Sequence, residues 1–300
     1  MIVDAHAHVF PPAVRERREA LIASEPAFAE IYRNARAAMA TAGEVLASMD
    51  EAGVDRTVIV NFAWRDEALV DETNAYILDA ASRSGGRLLP FVAMPPARGG
   101  HGGPQFEDAP QTGHTAGGRS GDPRAKIRAL AAAGARGIGE LRPESLGWDL
   151  ADSDEGDLLA WAASAYDLAL LFHVSEPVGH PYAGKQGLRI EALASFAATA
   201  AGVTIIAAHW GGGLPFYTLM PEVREALATT WFDTAAGHLL YDAAIYRRAI
   251  DLVGAGRILF GSDFPLVSQA DALARARAAG LSGDELRAIG GENARQIFGL

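Results

Sequence analysis

The sequence predicts an α/β fold, specifically a parallel (β/α)8 barrel of the TIM type, and three observations lead there. Short runs rich in Val, Ile, Leu and Phe alternate with longer Ala-rich amphipathic segments along nearly the whole chain. The runs number eight, and most are continuously apolar, as parallel strands buried on both faces are. Side chains able to bind metal or move protons recur where those runs end, which is where such a barrel carries its chemistry. An open doubly wound sheet is the alternative architecture.

In chain order the strands are expected at 2–8, 56–62, 87–93, 135–141, 168–174, 203–209, 230–235 and 257–262. Helices are expected at 43–52, 71–84, 123–134 and 155–166, each before the next strand, and Gly53, Gly85 and Gly134 stand at helix C-terminal stops. No internal repeat is visible, so the period is architectural. Two connections exceed the usual length. Residues 10–42, after the first strand, are rich in helix formers and include Phe28 and Tyr32; one or two extra helices are expected there. Residues 95–122, after the third strand, begin Pro95-Pro96, carry Gly pairs with His101 and His114, and read as a surface insertion or a lid.

At 300 residues the chain is long for one compact unit, yet barrels of this kind run to about 250 residues or more, so residues 1–300 are expected to form one domain. Hydrophobic residues make up 49% and charged residues 21%, as in a globular enzyme. A net charge of −11 argues against a nucleic-acid partner, because affinity for phosphate backbones comes mainly from Lys and Arg. With no cysteine, disulfides, thiolate metal sites and a cysteine nucleophile are excluded. Without a bilayer-length apolar run or a cationic leader, the expected setting is cytoplasmic. The expected partner is a small-molecule substrate, with no nucleic acid and no membrane, and a homo-oligomer is left open.

The N-terminal run Val3-Asp4-Ala5-His6-Ala7-His8 is the sharpest local signal. Strand side chains alternate faces, so Asp4, His6 and His8 are expected on one side, and two imidazoles two residues apart can bind one cation. Glu140 ends the fourth strand, His173 the fifth, His209 the sixth and Asp263 the eighth. Six metal-competent side chains therefore meet at one end of the barrel.

Four motifs carry a family resemblance: Asp4-Ala5-His6-Ala7-His8, Phe172-His173, Ala208-His209-Trp210-Gly211-Gly212-Gly213 and Phe260-Gly261-Ser262-Asp263-Phe264-Pro265. Together they resemble the metal-dependent amidohydrolase superfamily. The C-terminal segment Gly291–Leu300 is similar to the end of the branch that includes aminocarboxymuconate-semialdehyde-type decarboxylases. The resemblance implies that His6, His8, His173 and Asp263 bind a divalent ion, expected to be Zn2+, and that Asp263 also takes a proton from water. It implies that His209 polarises substrate in a one-ion site or ligates a second ion. Gly137-Ile138-Gly139-Glu140 resembles TatD-type metal-dependent DNases and implies a bridging Glu140, although the acidic charge argues against DNase activity. The alternative for Glu140 is a pair with Arg142, two residues on.

Several neighbours are candidates to shape the pocket: Ser175, Glu176, His180, Tyr182 and Lys185 in the loop after the fifth strand, and Asn61, Trp64 and Asp233 near other strand ends. Trp210 and the following glycines predict a tight backbone path with room for a ligand. The leading expectation is hydrolysis of a small amide, ester or lactone through metal-activated water. The alternative is metal-dependent non-oxidative decarboxylation of an aromatic or unsaturated acid. A non-catalytic metal-binding barrel is the third reading, against which the intact Asp263 weighs.

Overall fold

In the computed structural model, which describes residues 1–94, 122–148, 150, 154–185 and 187–300, eight parallel strands follow one another around a single sheet in sequence order. They are β1 (Val3–His8), β2 (Arg56–Val60), β3 (Leu88–Val92), β4 (Gly137–Leu141), β5 (Ala169–Phe172), β6 (Ile205–Ala207), β7 (Thr230–Asp233) and β8 (Ile258–Leu259). The sheet is nearly a closed barrel. Backbone hydrogen bonds bring β1 to the segment around β8, from Ala5 N to Phe260 O (2.7 Å) and from Asp263 N to His6 O (2.9 Å). The predicted architecture is therefore the observed one, whereas the expected strand ends ran too far where apolar residues continue past the last paired residue, as at 205–207 and 258–259.

Inside the barrel, Val3, Ala5, Val58, Val60, Leu89, Phe91, Leu171, Ile206 and Leu259 form one apolar cluster, capped by Ala294 and Phe298 from the C-terminal helix. Helices cover the outside. Thr41 and Glu44 make a reciprocal cap on α4 (Ala42–Ala52), which ends at Gly53 in a left-handed conformation with φ 70°. Asp66 caps α5 (Glu67–Arg83), Asp122 caps α6 (Pro123–Ala132), and α7 (Asp154–Tyr166) and α8 (Ile190–Thr199) flank β5. Among the described residues no helix is long and apolar enough to cross a membrane. The expected insertion at 95–122, with His101 and His114, lies outside the described residues except at its last position.

The connection after β1 holds three short helices rather than one or two: α1 (Pro12–Glu16), α2 (Arg18–Ser24) and α3 (Pro26–Tyr32). Proline opens α1 and α3, where a missing N–H costs nothing. This insertion folds over the mouth of the barrel because its apolar face is aromatic. Phe28 stacks on Tyr32 at 4.5 Å and meets Phe10, Phe62 and Trp64. Glu25 fastens it further, accepting the backbone N–H groups of Arg65 (2.8 Å) and Asp66 (3.0 Å).

Candidate metal centre

All six predicted side chains meet beneath that aromatic roof. They fall into two triads, His6, His8 and Asp263 on one side and Glu140, His173 and His209 on the other, with donor atoms in each triad within 4.8 Å of one another. In the first, His6 Nε2 lies 3.2 Å from His8 Nε2, and Asp263 Oδ1 lies 3.3 Å from His8 Nε2 and 3.8 Å from His6 Nε2. In the second, His173 Nδ1 lies 2.9 Å from Glu140 Oε1 and 3.2 Å from His209 Nε2, while Glu140 Oε1 lies 3.4 Å from His209 Nε2. Donors about 2.1 Å from a shared cation sit roughly 3.0–3.4 Å from each other, so every pair but Asp263–His6, at 3.8 Å, is close to the spacing of a coordination shell.

Glu140 joins the triads. Its Oε1 also lies 3.7 Å from His6 Nε2, and its Oε2 lies 3.7 Å from His8 Nε2. The pairing with Arg142 considered from the sequence is not what forms: Arg142 turns to the Gly184 carbonyl (2.8 Å) and lies 3.6 Å from Glu30.

The outward contacts of the rings settle which nitrogens face the centre. His6 Nδ1 meets Asp233 Oδ2 at 2.9 Å, His209 Nδ1 meets the Ala235 carbonyl at 3.0 Å, and His173 Nε2 meets the Gly184 carbonyl at 2.9 Å. Each outward nitrogen therefore donates a proton, so in the neutral ring the inward nitrogen keeps the lone pair. With the rings neutral, three lone pairs and two carboxylates converge on one space, where only a cation or added protons can balance them. Such a set is repulsive by itself and fits a cation, and the outward acceptors are of the kind that orient metal-bound imidazoles.

The same crowding appears in the acid–base properties of the metal-free protein. Burial pushes His6 down, but Asp233, Glu140 and Asp263 outweigh it and push the imidazole up to about 10. Burial likewise opposes His209, which Glu140, Asp263 and Asp233 push up to about 9. His173 goes the other way: burial, with help from Arg142 and His209, carries it down to about 4 despite Glu140. Burial would raise the two carboxyls, yet His173, His209 and His6 hold Glu140 well below the usual range, and His8, His6 and His209 lower Asp263.

Sequence position alone misassigned several neighbours. Asp4 does not join His6 and His8; the β1–β2 register shifts between Asp4 and Ala7, and the Asp4 carboxylate accepts Ser262 N–H (2.9 Å) and Gln269 Nε2–H (2.8 Å). Asp233 is no substrate contact: it is fully buried, holds His6, and accepts His209 N–H at 2.8 Å. Asn61 and Trp64 are structural too, with Asn61 donating to Thr73 and Asn74 and accepting from Trp64 Nε1. Gly211 and Gly212 serve protein packing rather than ligand approach, since a Cβ would lie 2.8 Å from the Phe232 ring and 2.7 Å from the Ser175 carbonyl respectively.

The loop after β5 partly reaches the centre. Ser175 Oγ lies 3.3 Å from His173 Nε2, and Tyr182 donates to Glu176 (3.3 Å) and Ser175 (3.5 Å). Lys185 instead ties the loop to itself through the carbonyls of Val178 and His180.

No curated protein matches the sequence. Among solved structures, the fold is similar to 5-carboxyvanillate decarboxylase from Sphingomonas paucimobilis, with TM-score 0.71, 16% identity, and 100% of this chain and 99% of that one covered. It is similar to a dihydroxybenzoic acid decarboxylase from Polaromonas, solved with bound manganese, at TM-score 0.68, 14% identity, and 100% and 97% coverage. A putative 2-pyrone-4,6-dicarboxylic acid hydrolase from Pseudomonas putida follows at TM-score 0.61, 20% identity, and 99% and 97% coverage. The family model described as amidohydrolase matches residues 3–300, and on that whole-length match the chain belongs to the amidohydrolase family.

Proposed function

We propose that this chain is a metal-dependent hydrolase of a small amide, ester or lactone, with a divalent transition metal at each triad and Glu140 between them. The observation that carries this reading is the reach of Glu140, whose two oxygens lie 3.7 Å or less from ring nitrogens of both triads. His6, His8 and Asp263 would hold one ion, and His173 and His209 the other. Bound there, the ions would supply Lewis acidity toward a carbonyl oxygen and would acidify water toward neutral pH.

The chain's own residues do the rest. Asp263 is ionised at neutral pH, so its carboxylate is ready to accept a proton from attacking water and return it to the leaving group. Asp233 and the Ala235 carbonyl keep His6 and His209 aimed inward throughout. The roof of Phe10, Phe28, Tyr32, Phe62 and Trp64 borders the site, and its burial limits bulk water at the reacting atoms.

The fold comparisons favour a second reading, non-oxidative decarboxylation, because the two decarboxylases named above align with higher TM-scores than the hydrolase does. In that reaction the substrate carboxylate would take the place of the carbonyl, and Asp263, having first taken a proton from water, would pass it to the carbon that carbon dioxide leaves. One assay separates the two. Metal-loaded protein is given a panel of lactones, esters and amides beside aromatic carboxylates, following acid release and carbon dioxide respectively. Acid release that requires Asp263 supports the hydrolase; carbon dioxide with no hydrolysis anywhere in the panel replaces it with the decarboxylase.

A further inference from the structure

One peptide at the edge of the centre gathers contacts from three separate parts of the chain. The Gly184 carbonyl accepts from His173 Nε2 at 2.9 Å and from Arg142 Nη2 at 2.8 Å. The N–H of the same residue donates to Glu30 Oε1 of α3 at 3.1 Å, and Glu30 Oε2 lies 3.6 Å from Arg142 Nη2. Arg142 is only 1% exposed, a heavy investment for a guanidinium at a strand end. Gly184 has φ +86°, and a Cβ there would lie 3.1 Å from Ile31 Cγ1, so both its conformation and its space call for glycine.

This arrangement bears on His173 in a way that ordinary packing would not. Its Nδ1 faces Glu140 and His209, so that nitrogen serves the centre only if the proton sits on Nε2. Ser175 Oγ, 3.3 Å from Nε2, can donate as well as accept and selects neither tautomer. A carbonyl only accepts, and so it does select. Its position then matters to within a few tenths of an ångström, and a charge-assisted bond from Arg142 to the same oxygen holds it there.

We propose that Arg142 is a positioning residue for the metal centre: it anchors the Gly184 carbonyl, which fixes the His173 ring with Nδ1 directed at Glu140 and His209. The inference rests on the reading that His173 ligates a metal. Through Glu30 it also couples the roofing insertion to that ligand, so that the covering of the site and the aim of His173 are set by one peptide.

The test is titration of metal-free protein with Mn2+, following free Mn2+ by electron paramagnetic resonance, in wild type, Arg142→Met, Arg142→Lys and Gly184→Ala. The His173→Ala variant, which keeps only the His6–His8–Asp263 site, identifies which ion is which. Arg142→Met and Gly184→Ala should each weaken the His173 ion about 10–100-fold, the usual effect of losing an orienting partner, with the other ion changed less than about twofold. Arg142→Lys should recover part of the loss, because an ammonium can still donate to the carbonyl. Unchanged affinities in both Arg142→Met and Gly184→Ala overturn the inference. So do equal losses at both ions accompanied by a lowered melting temperature, which would make Arg142 a structural pin. A single ion in wild type would overturn the two-ion reading alone, and the inference would then stand or fall on whether Arg142→Met weakens that ion. If wild type binds no Mn2+, both fail.

Discussion

Replacing Glu140 by Gln keeps its shape and one acceptor oxygen but removes a negative charge from between the two triads. The Glu140 carboxylate lies 2.9 Å from His173 Nδ1, 3.4 Å from His209 Nε2, and 3.7 Å from both His6 and His8 Nε2, so a cation in either triad would be within about 4 Å of it. At that distance, with an effective dielectric constant of about 20, the lost charge is worth about 4 kcal/mol per unit of cation charge. The amide dipole restores part of this. Even a net loss of 4 kcal/mol is roughly 10³ in affinity, enough to empty the more weakly held position under ordinary dialysis. Glu140→Gln should therefore fall from about two ions per chain to about one, measured by elemental analysis and by calorimetric titration of metal-free protein. A variant that keeps two ions at wild-type affinity would refute the bridging geometry. Wild-type protein that saturates with one ion, unaffected by the substitution, would refute it equally.

Three further outcomes follow from the same contacts. Asp263→Asn should retain the fold and a weakened metal site through its amide oxygen, while turnover falls about 10²- to 10⁴-fold because an amide accepts no proton; wild-type turnover by metal-loaded variant would exclude Asp263 as the proton carrier. Asp233→Asn, by disturbing the acceptor that holds His6 Nδ1–H, should weaken the ion at His6 and His8 by about 10- to 100-fold, read by competition with a chromogenic chelator; an unaltered affinity would show that Asp233 only braces the His209 backbone. Metal binding should also release protons. His6 is pushed up to about 10 and His209 to about 9, so both carry protons at neutral pH in the metal-free protein, and both must lose them to coordinate. Filling the centre should release about two protons near pH 7, and affinity should rise with pH up to about 10, less steeply above about 9, and fall as pH drops, since acid restores the competing protons. Calorimetry in buffers of different ionisation enthalpy measures this number, and a value near zero would contradict the protonated metal-free state.

How much of the centre could be read from the sequence depended on how local each signal was. His6 and His8 are two residues apart, and the other four residues stand at or just beyond the ends of apolar runs, which a barrel gathers at one rim whatever their separation along the chain. Position sufficed for them. Asp233 was visible as an acid closing an apolar run, but its partner His6 is 227 residues away, so its job as an anchor could not be distinguished from substrate contact. Asp4 was misplaced for a different reason: alternation assumes an unbroken strand, and β1 shifts register immediately after it. The Gly184 carbonyl was invisible, because a main-chain acceptor leaves no residue type behind.

Backbone conformation adds a reason to regard this rim as functional rather than merely crowded. His209, Trp210 and Asp263 sit in the left-handed region at φ 58°, 57° and 66°, and Ala236 at φ 50° borders the carbonyl that holds His209. Non-glycine residues there cost on the order of 1–3 kcal/mol each, and glycine, which would relieve the cost, is common in this very neighbourhood, at Gly211, Gly212, Gly213 and Gly261. At 209 and 263, however, a glycine would remove an imidazole from one triad and a carboxylate from the other. Strain is thus retained at two positions whose side chains face the centre, in the segments just past β6 and β8. A barrel that needed only to fold could have had glycine at both.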